Sequence, residues 1–322
     1  MLKKNPKIVI LDGIGVNPGD LSWNNLKALG DVEIYENTEY DQIIERSKDA
    51  EIIVVNKCRF DEYIFNNLPK LKFLCESATG YDNIDIDSAN KHNIFVSNVR
   101  NYSTESVVQH VFALILALVN KTEYYSKEVS SGRWTDIGYF TFWDSAMFEL
   151  TGKTIGIYGF GKIGSRVAQV AQAFGMKVIA NRKNPEKGYS TGIHHAEIEE
   201  LLSQSDILSL HAPLAPENEN FINIDSLKKM KSSAILINTS RGKVINENDL
   251  AKSLNDEMIA GAGLDVLRNE PPRLESPLLH SKNCIITPHQ AWTSIEARQK
   301  LMNGIIENIE GYLKGNPVNV VN

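Results

Sequence analysis

Residues 154–164, T-I-G-I-Y-G-F-G-K-I-G, constrain the fold of this chain more than any other segment. Gly159, Gly161 and Gly164 form a G-x-G-x-x-G pattern, which says little when it stands alone. Here it follows an apolar run that reads as a strand, Thr154–Tyr158, and it opens a helical stretch from Ile163 to Phe174. In that context each glycine has a physical task. The first permits a tight turn, the second lets backbone approach a pyrophosphate, and the third lets helix and strand pack closely. Lys162 and Ile163 carry early amides of that helix, which face negative charge. The segment predicts a strand–turn–helix unit that holds a dinucleotide.

The rest of the chain repeats the alternation of strand and helix. Lys7–Leu11, Val32–Tyr35, Glu51–Val55, Lys72–Glu76 and Ile94–Ser97 read as buried strands, with helical segments between them. Pro18 and Asp20 suit the start of the first helix. A second series runs through Thr154–Tyr158, Lys177–Ala180, Ile207–Leu210, Ala234–Asn238, Ile259–Leu264 and Ile285–Thr287. Between the two lie an apolar helix, Thr104–Val119, and a loop-like stretch, Ser130–Glu149, rich in aromatics. An amphipathic helix, about 294–314, ends the chain. With 322 residues and 42% apolar content there is material for two cores. The expected class is α/β with two doubly wound parallel sheets.

Composition removes several other classes. The net charge of −6 and pI of 5.7 leave no basic footprint for nucleic acid. Cys58, Cys75 and Cys284 are too sparse for a disulfide framework or a zinc site, and read as reduced thiols. No metal is expected. Lys3, Lys4 and Lys7 precede an apolar run too short for a signal-peptide core. The longest apolar stretch, Val111–Val119, falls short of a membrane span. The expectation is a cytoplasmic protein with no membrane partner.

Two features point to chemistry. After the strand ending at Ala180 come Asn181, Arg182 and Lys183, where an NAD-binding turn carries an acidic residue for the ribose 2′-hydroxyl. Cations there suit a 2′-phosphate, so the cofactor is NAD or NADP, with the balance toward NADP. Three further strands are followed by Thr239-Ser240-Arg241, by Asp265 to Glu270, and by Thr287-Pro288-His289. Taken singly, each of Arg241, Glu270 and His289 could be an ordinary loop residue. Together, after strands of one nucleotide-binding unit, they suit carbonyl reduction. Histidine donates the proton, a carboxylate on its other nitrogen orients it and favours the charged ring, and arginine clamps a substrate carboxylate.

With these residues the chain resembles the D-2-hydroxyacid dehydrogenase family over essentially its whole length. The resemblance is carried by Ala78-Thr79-Gly80 with Asp85, Ser103–Val107, GFGKIG, Leu210–Leu214, INTSRG, GAGLDV with Glu270-Pro271-Pro272, and Thr287-Pro288-His289. Asn17–Trp23 and Phe142–Asp144 are similar to the glycerate dehydrogenase, or hydroxypyruvate reductase, branch. The resemblance implies a flavodoxin-like substrate domain, 1–100 plus 289–322, and a Rossmann cofactor domain, 101–288. It implies hydride transfer between a nicotinamide and a small 2-oxo acid, with Arg241, Glu270 and His289 as the catalytic set. Ala78, Thr79 and Gly80 join Arg241 and His289 in holding substrate, and Asp265 contacts the nicotinamide carboxamide. Val107, His211, Ala212, Pro213, Thr239 and Ser240 line the cofactor groove. A homodimer is implied, with the long helix and the aromatic loop at its interface, and the uncovered Trp143 is expected to reach a neighbouring subunit's site. Other readings are the same chemistry on phosphoglycerate, lactate or another 2-oxo acid, and a dinucleotide-sensing, corepressor-like binding protein.

Overall fold

The computed structural model describes residues 5–190 and 192–322; Lys3 and Lys4 lie outside the described residues. The chain divides into two compact units, residues 1–103 with 293–322, and residues 104–292.

The first unit holds strands β1 (Lys7–Ile10), β2 (Asp31–Ile34), β3 (Ile52–Val55), β4 (Phe73–Glu76) and β5 (Phe95–Ser97). Helices α1 (Gly13–Val16), α2 (Asn24–Lys27), α3 (Ile43–Ser47), α4 (Glu62–Asn66) and α5 (Ile86–Lys91) lie between them. All strands are parallel, in the order β2-β1-β3-β4-β5. This is the flavodoxin-like doubly wound order. Every residue of β3 and β4 is buried, as a sheet covered on both faces requires.

Pro18 and Asp20 do not open the first helix. The Asn17 side chain accepts from the amides of Gly19 and Leu21 at 3.0 and 2.9 Å and donates to the Leu21 carbonyl at 2.6 Å. Such local bonds hold backbone out of a helix. Asp20 instead forms a bidentate pair with the buried Arg298, both contacts 2.6 Å.

The second unit opens with α6 (Thr104–Asn120), α7 (Thr122–Ser130) and α8 (Arg133–Ile137). It continues through β6 (Thr154–Tyr158), α9 (Lys162–Ala173), β7 (Lys177–Asn181), β8 (Ile193–His195), α10 (Ile198–Gln204) and β9 (Ile207–Leu210). Then come α11 (Ile224–Lys229), β10 (Ile235–Asn238), α12 (Glu247–Asn255), β11 (Gly261–Leu264) and β12 (Cys284–Ile286), before α13 (Ile295–Leu313) returns to the first unit. The seven strands are parallel, ordered β12-β11-β10-β9-β6-β7-β8. Chain direction across the sheet reverses between β6 and β9, the switch point where α/β sheets bind ligands. Two apolar cores cover its faces, one built on α6 and α9, the other on α10, α11 and α12.

Some elements differ from the sequence expectation. α7 and α8 occupy polar sequence, α8 inside the expected loop, and β8 takes in His194 and His195. The units divide at 103/104 and 292/293, three or four residues beyond the expected boundaries. His289 stays with the second sheet because its amide donates to the Asp265 carbonyl at 2.8 Å.

All three cysteines are free. Burial raises the thiols of Cys75 and Cys284 to about 11 and about 12. Burial, with Asp12 beside it, pushes Cys58 higher still. No described helix is long and apolar enough to cross a membrane.

Candidate active site

The glycine turn sits at the switch point, between β6 and α9. Gly159 has φ +95°, and a Cβ there would lie 2.4 Å from the Ala212 amide nitrogen. A Cβ on Gly164 would lie 2.3 Å from the Gly159 carbonyl oxygen, so glycine lets α9 close onto the turn. A Cβ on Gly161 would meet nothing within 4 Å, which leaves open space over the start of α9. Free amides at the start of that helix suit a pyrophosphate. The Thr239 hydroxyl, at the end of β10, is buried without a hydrogen-bond partner. A cradle shaped by glycines and an orphaned hydroxyl both fit a bound dinucleotide.

Beyond the turn, Phe160, Lys162, Ser165, Arg182, Lys187 and Tyr189 line a pocket of about 520 Å³. Arg182 lies near both aromatic rings, 6.0 Å from the Phe160 centroid and 5.8 Å from that of Tyr189, and donates to the Gly188 carbonyl at 2.8 Å. The three residues expected to read the ribose part company. Arg182 faces the pocket, Asn181 donates to the Ala196 carbonyl at 2.9 Å, and Lys183 pairs with exposed Glu217 at 2.9 Å. Lys187, absent from the expected set, supplies a third cation to the pocket beside Lys162 and Arg182. Pro185 before it marks a turn, but nothing in the sequence says which way that turn folds.

His211, Ala212 and Pro213 follow β9, with the backbone of His211 and Ala212 against Gly159, and the His211 Nε2 is 2.8 Å from the Ser209 hydroxyl. Burial depresses the His211 imidazole to about 4, so near neutrality it is uncharged and cannot serve as a second proton donor. Its folded value lies below its ordinary 6.5. Between those values the unfolded chain takes up a proton that the folded chain refuses, so stability is lost as pH falls from 6.5 towards 4. The full effect is at most about 3 kcal/mol, less for the partial exposure of the residue. Urea titrations of His211→Asn are expected to show a flatter pH dependence in that window than the parent; equal slopes would remove the assignment.

Three loops at the strand ends carry the other expected residues. Asn238, fully buried at the end of β10, shapes the first: it accepts from the Ser240 amide and hydroxyl and donates to the Arg241 carbonyl at 2.9 Å. Arg241 Nη1 donates to the Ser240 carbonyl at 2.9 Å. A Cβ on Gly242 would lie 1.9 Å from the Leu267 carbonyl carbon, so only glycine lets the first loop press against the second. In the second loop Glu270 accepts from the Leu267 amide at 3.0 Å and contacts His289 Nδ1 at 2.7 Å. His289, in the third, holds φ +52°, a left-handed conformation uncommon for a residue with a side chain. The His289–Glu270 bond uses Nδ1 and leaves Nε2 for another partner.

Asp265 is 1% exposed. Its Oδ1 accepts from the Thr287 hydroxyl at 2.6 Å and the Gln290 amide at 2.9 Å, and its Oδ2 from the Ala291 amide at 2.9 Å. Burial pushes this carboxyl up, but hydrogen bonds from His110, Thr287 and the two amides outweigh it and hold the group below its usual range. Val107 lies buried in the core on α6. Ala78, Thr79 and Gly80 follow β4 in the first unit, where Thr79 donates its hydroxyl to the Val99 carbonyl at 3.0 Å.

Comparison with known proteins joins these features. The family model described as D-isomer specific 2-hydroxyacid dehydrogenase, NAD binding domain, matches residues 112–291. The chain is 43% identical over 321 residues to a hydroxypyruvate reductase of Blautia hydrogenotrophica, covering 98% of this chain and 99% of that protein. It is 40% identical over 290 residues to a glycerate dehydrogenase of Methylorubrum extorquens, covering 89% of this chain and 90% of that one. Among solved structures, an acyclic imino acid reductase in complex with NADPH and D-Arg aligns with a TM-score of 0.87 at 36% identity, covering 98% of this chain and 100% of that one. Because the likeness runs through both units and not only through the dinucleotide fold, the chain belongs to the D-isomer-specific 2-hydroxyacid dehydrogenases and is a nicotinamide-dependent oxidoreductase.

Proposed function

We propose that this enzyme reduces hydroxypyruvate to D-glycerate, with glyoxylate as a smaller substrate of the same kind. The observation that carries the reading is the 2.7 Å contact between His289 Nδ1 and Glu270, on loops beside the one that carries Arg241. The names of the relatives from Blautia and Methylorubrum support the substrate. A bound reduced nicotinamide supplies a hydride to the substrate carbonyl carbon. Arg241 clamps the substrate carboxylate and polarises the neighbouring carbonyl. His289, starting as the imidazolium, gives its Nε2 proton to the carbonyl oxygen. Glu270 keeps the Nδ1 proton in place and stabilises the ring's charge. The carboxylate contacts assigned to Ala78, Thr79 and Gly80 rest on the family resemblance alone. So does the carboxamide contact of Asp265. The test is consumption of NADH or NADPH with hydroxypyruvate, glyoxylate, pyruvate and phosphohydroxypyruvate offered separately. Turnover fastest with pyruvate or phosphohydroxypyruvate would move the enzyme to another substrate.

The cofactor proposed is NADP, bound by the glycine turn with its 2′-phosphate in the pocket of Arg182 and Lys187. The absence of an acidic residue after β7 and the NADPH held by the imino acid reductase support this. Charge-assisted hydrogen bonds contribute about 1.5–3 kcal/mol, so Arg182→Ala is expected to weaken NADPH binding by roughly 10- to 100-fold. NADH binding, which lacks the phosphate, should change little. Fluorescence titration reads both, and equal losses would point to a general structural defect in place of phosphate recognition.

A homodimer is also proposed. The outer face of α6 leaves a shallow groove of about 440 Å³, lined by Val108, Phe112, Ala113, Leu116 and Val170 with Glu105 and Gln109. Trp134, Tyr139, Phe140 and Trp143 are exposed, more aromatic surface than a monomer ordinarily leaves in one segment. Around Trp143 the chain is anchored. Asp144 pairs with Arg133 at 2.6 Å and accepts from Tyr124 at 2.7 Å, and Arg133 lies over the Phe142 ring at 4.9 Å. Light scattering should give twice the 36.0 kDa chain mass. Trp143→Ala should raise KM for hydroxypyruvate, and unchanged kinetics would remove Trp143 from the site.

A further inference from the structure

We infer that His110 is a positioning residue for the proton-donating histidine, acting through Thr287 and Asp265. The inference rests on the reading of His289 as that donor.

The direction of each bond follows from counting protons. Asp265 is buried and accepts from two backbone amides, and an ionised carboxylate has no proton to give. The 2.6 Å contact between Thr287 Oγ and Asp265 Oδ1 must therefore be the hydroxyl donating. That commits the hydroxyl's one proton. The 2.8 Å contact between His110 Nε2 and Thr287 Oγ must then be the ring N–H donating. Whether the ring is neutral or charged, its Nε2 carries hydrogen. The same nitrogen lies 3.3 Å from Asp265 Oδ1.

These bonds converge on the segment that holds His289. Thr287 lies two residues before it, and the Gln290 and Ala291 amides that Asp265 accepts lie just after it. The His289 amide donates to the Asp265 backbone carbonyl at 2.8 Å. Helix α6 grips the segment at a second point one turn earlier, where the Ser106 hydroxyl donates to the Ala291 carbonyl at 2.6 Å. Ser106 and His110 are four residues apart and so share a helix face. His289 itself sits at φ +52°. A side-chain-bearing residue keeps such a backbone only where its surroundings over-determine it. The bonds from α6 supply that constraint, and the catalytic ring is aimed by a helix that need not touch substrate.

The test compares Thr287→Val, Thr287→Ser, His110→Phe and the double variant His110→Phe/Thr287→Val. Turnover of hydroxypyruvate and binding of NADH and NADPH by fluorescence are measured for each. A small misplacement of a reacting group lowers rate by roughly 100-fold, so Thr287→Val and His110→Phe should each lose kcat on that order while dinucleotide dissociation constants hold. Thr287→Ser should recover most of the rate, and the double variant should be no slower than the worse single one. Parental kcat in Thr287→Val would overturn the inference. So would a Ser variant as slow as Val, losses that multiply in the double variant, or a rate loss matched by lost dinucleotide binding. If Thr287→Val does not fold, His110→Gln, which can still donate, against His110→Phe makes the same comparison. His289→Asn runs alongside. If it retains turnover, the proposed donor falls; if it is inactive while Thr287→Val is unimpaired, only the positioning role falls.

Discussion

Replacing His289 with asparagine is expected to lower kcat for hydroxypyruvate by about 10²–10⁴-fold, the contribution of a positioned general acid. Asparagine is the informative choice because of the backbone. At φ +52° most side chains are strained, while asparagine tolerates the left-handed region. The loop and its bonds to Asp265 should therefore persist, while the transferable proton and the ring's contact with Glu270 are lost. Dinucleotide affinity should stay near the parental value and the fall should appear in kcat. A variant that keeps its rate would transfer the proton-donor role to another group. His211 is a poor candidate for that role, since burial keeps it neutral.

Arg241→Lys is the second large effect. Lysine keeps the charge but loses the rigid two-pronged donor that matches a carboxylate. Losing one well-placed donor at a reacting carbonyl lowers rate by roughly 10²–10³-fold. The fall in kcat/KM should combine a higher KM, from the weakened carboxylate clamp, with a lower kcat, from the less polarised carbonyl. The loop itself should survive, because its shape comes from Asn238 and from the contact of Gly242 with Leu267. A Lys variant as active as the parent would show that charge alone suffices and that the fork has no part.

The sheets were legible because their strands are short apolar runs bounded by turns. β6 and β9 begin and end where the residues predict. The elements that the sequence does not reveal lie where the pattern is weak. β8 holds only Ile193, His194 and His195 at the sheet edge, so two of its three side chains are polar and exposed. α7 has no buried residue and so no apolar period to detect. Among the candidate site residues, Arg241, Glu270 and His289 could be picked out because each follows a predicted strand. The partners of Asn181 and Lys183 could not: Ala196 and Glu217 are distant in sequence and meet them only once the chain has folded. His110 was visible only as a histidine on an apolar helix. Its bond to Thr287 spans 177 positions of sequence, and no local pattern reports that.

The three free thiols, two buried and one half-buried, bear on how this enzyme can be handled. The thiolate is the species that alkylating reagents and oxidants attack. With Cys75 and Cys284 raised to about 11 and about 12, and Cys58 further still, almost none is present near neutrality. The native chain thus offers a quiet background for maleimide chemistry. A cysteine introduced on the exposed face of α13 in one unit, and another on α7 in the second, would take up paired dyes without any native residue being removed. Distances between the units in solution then become directly measurable.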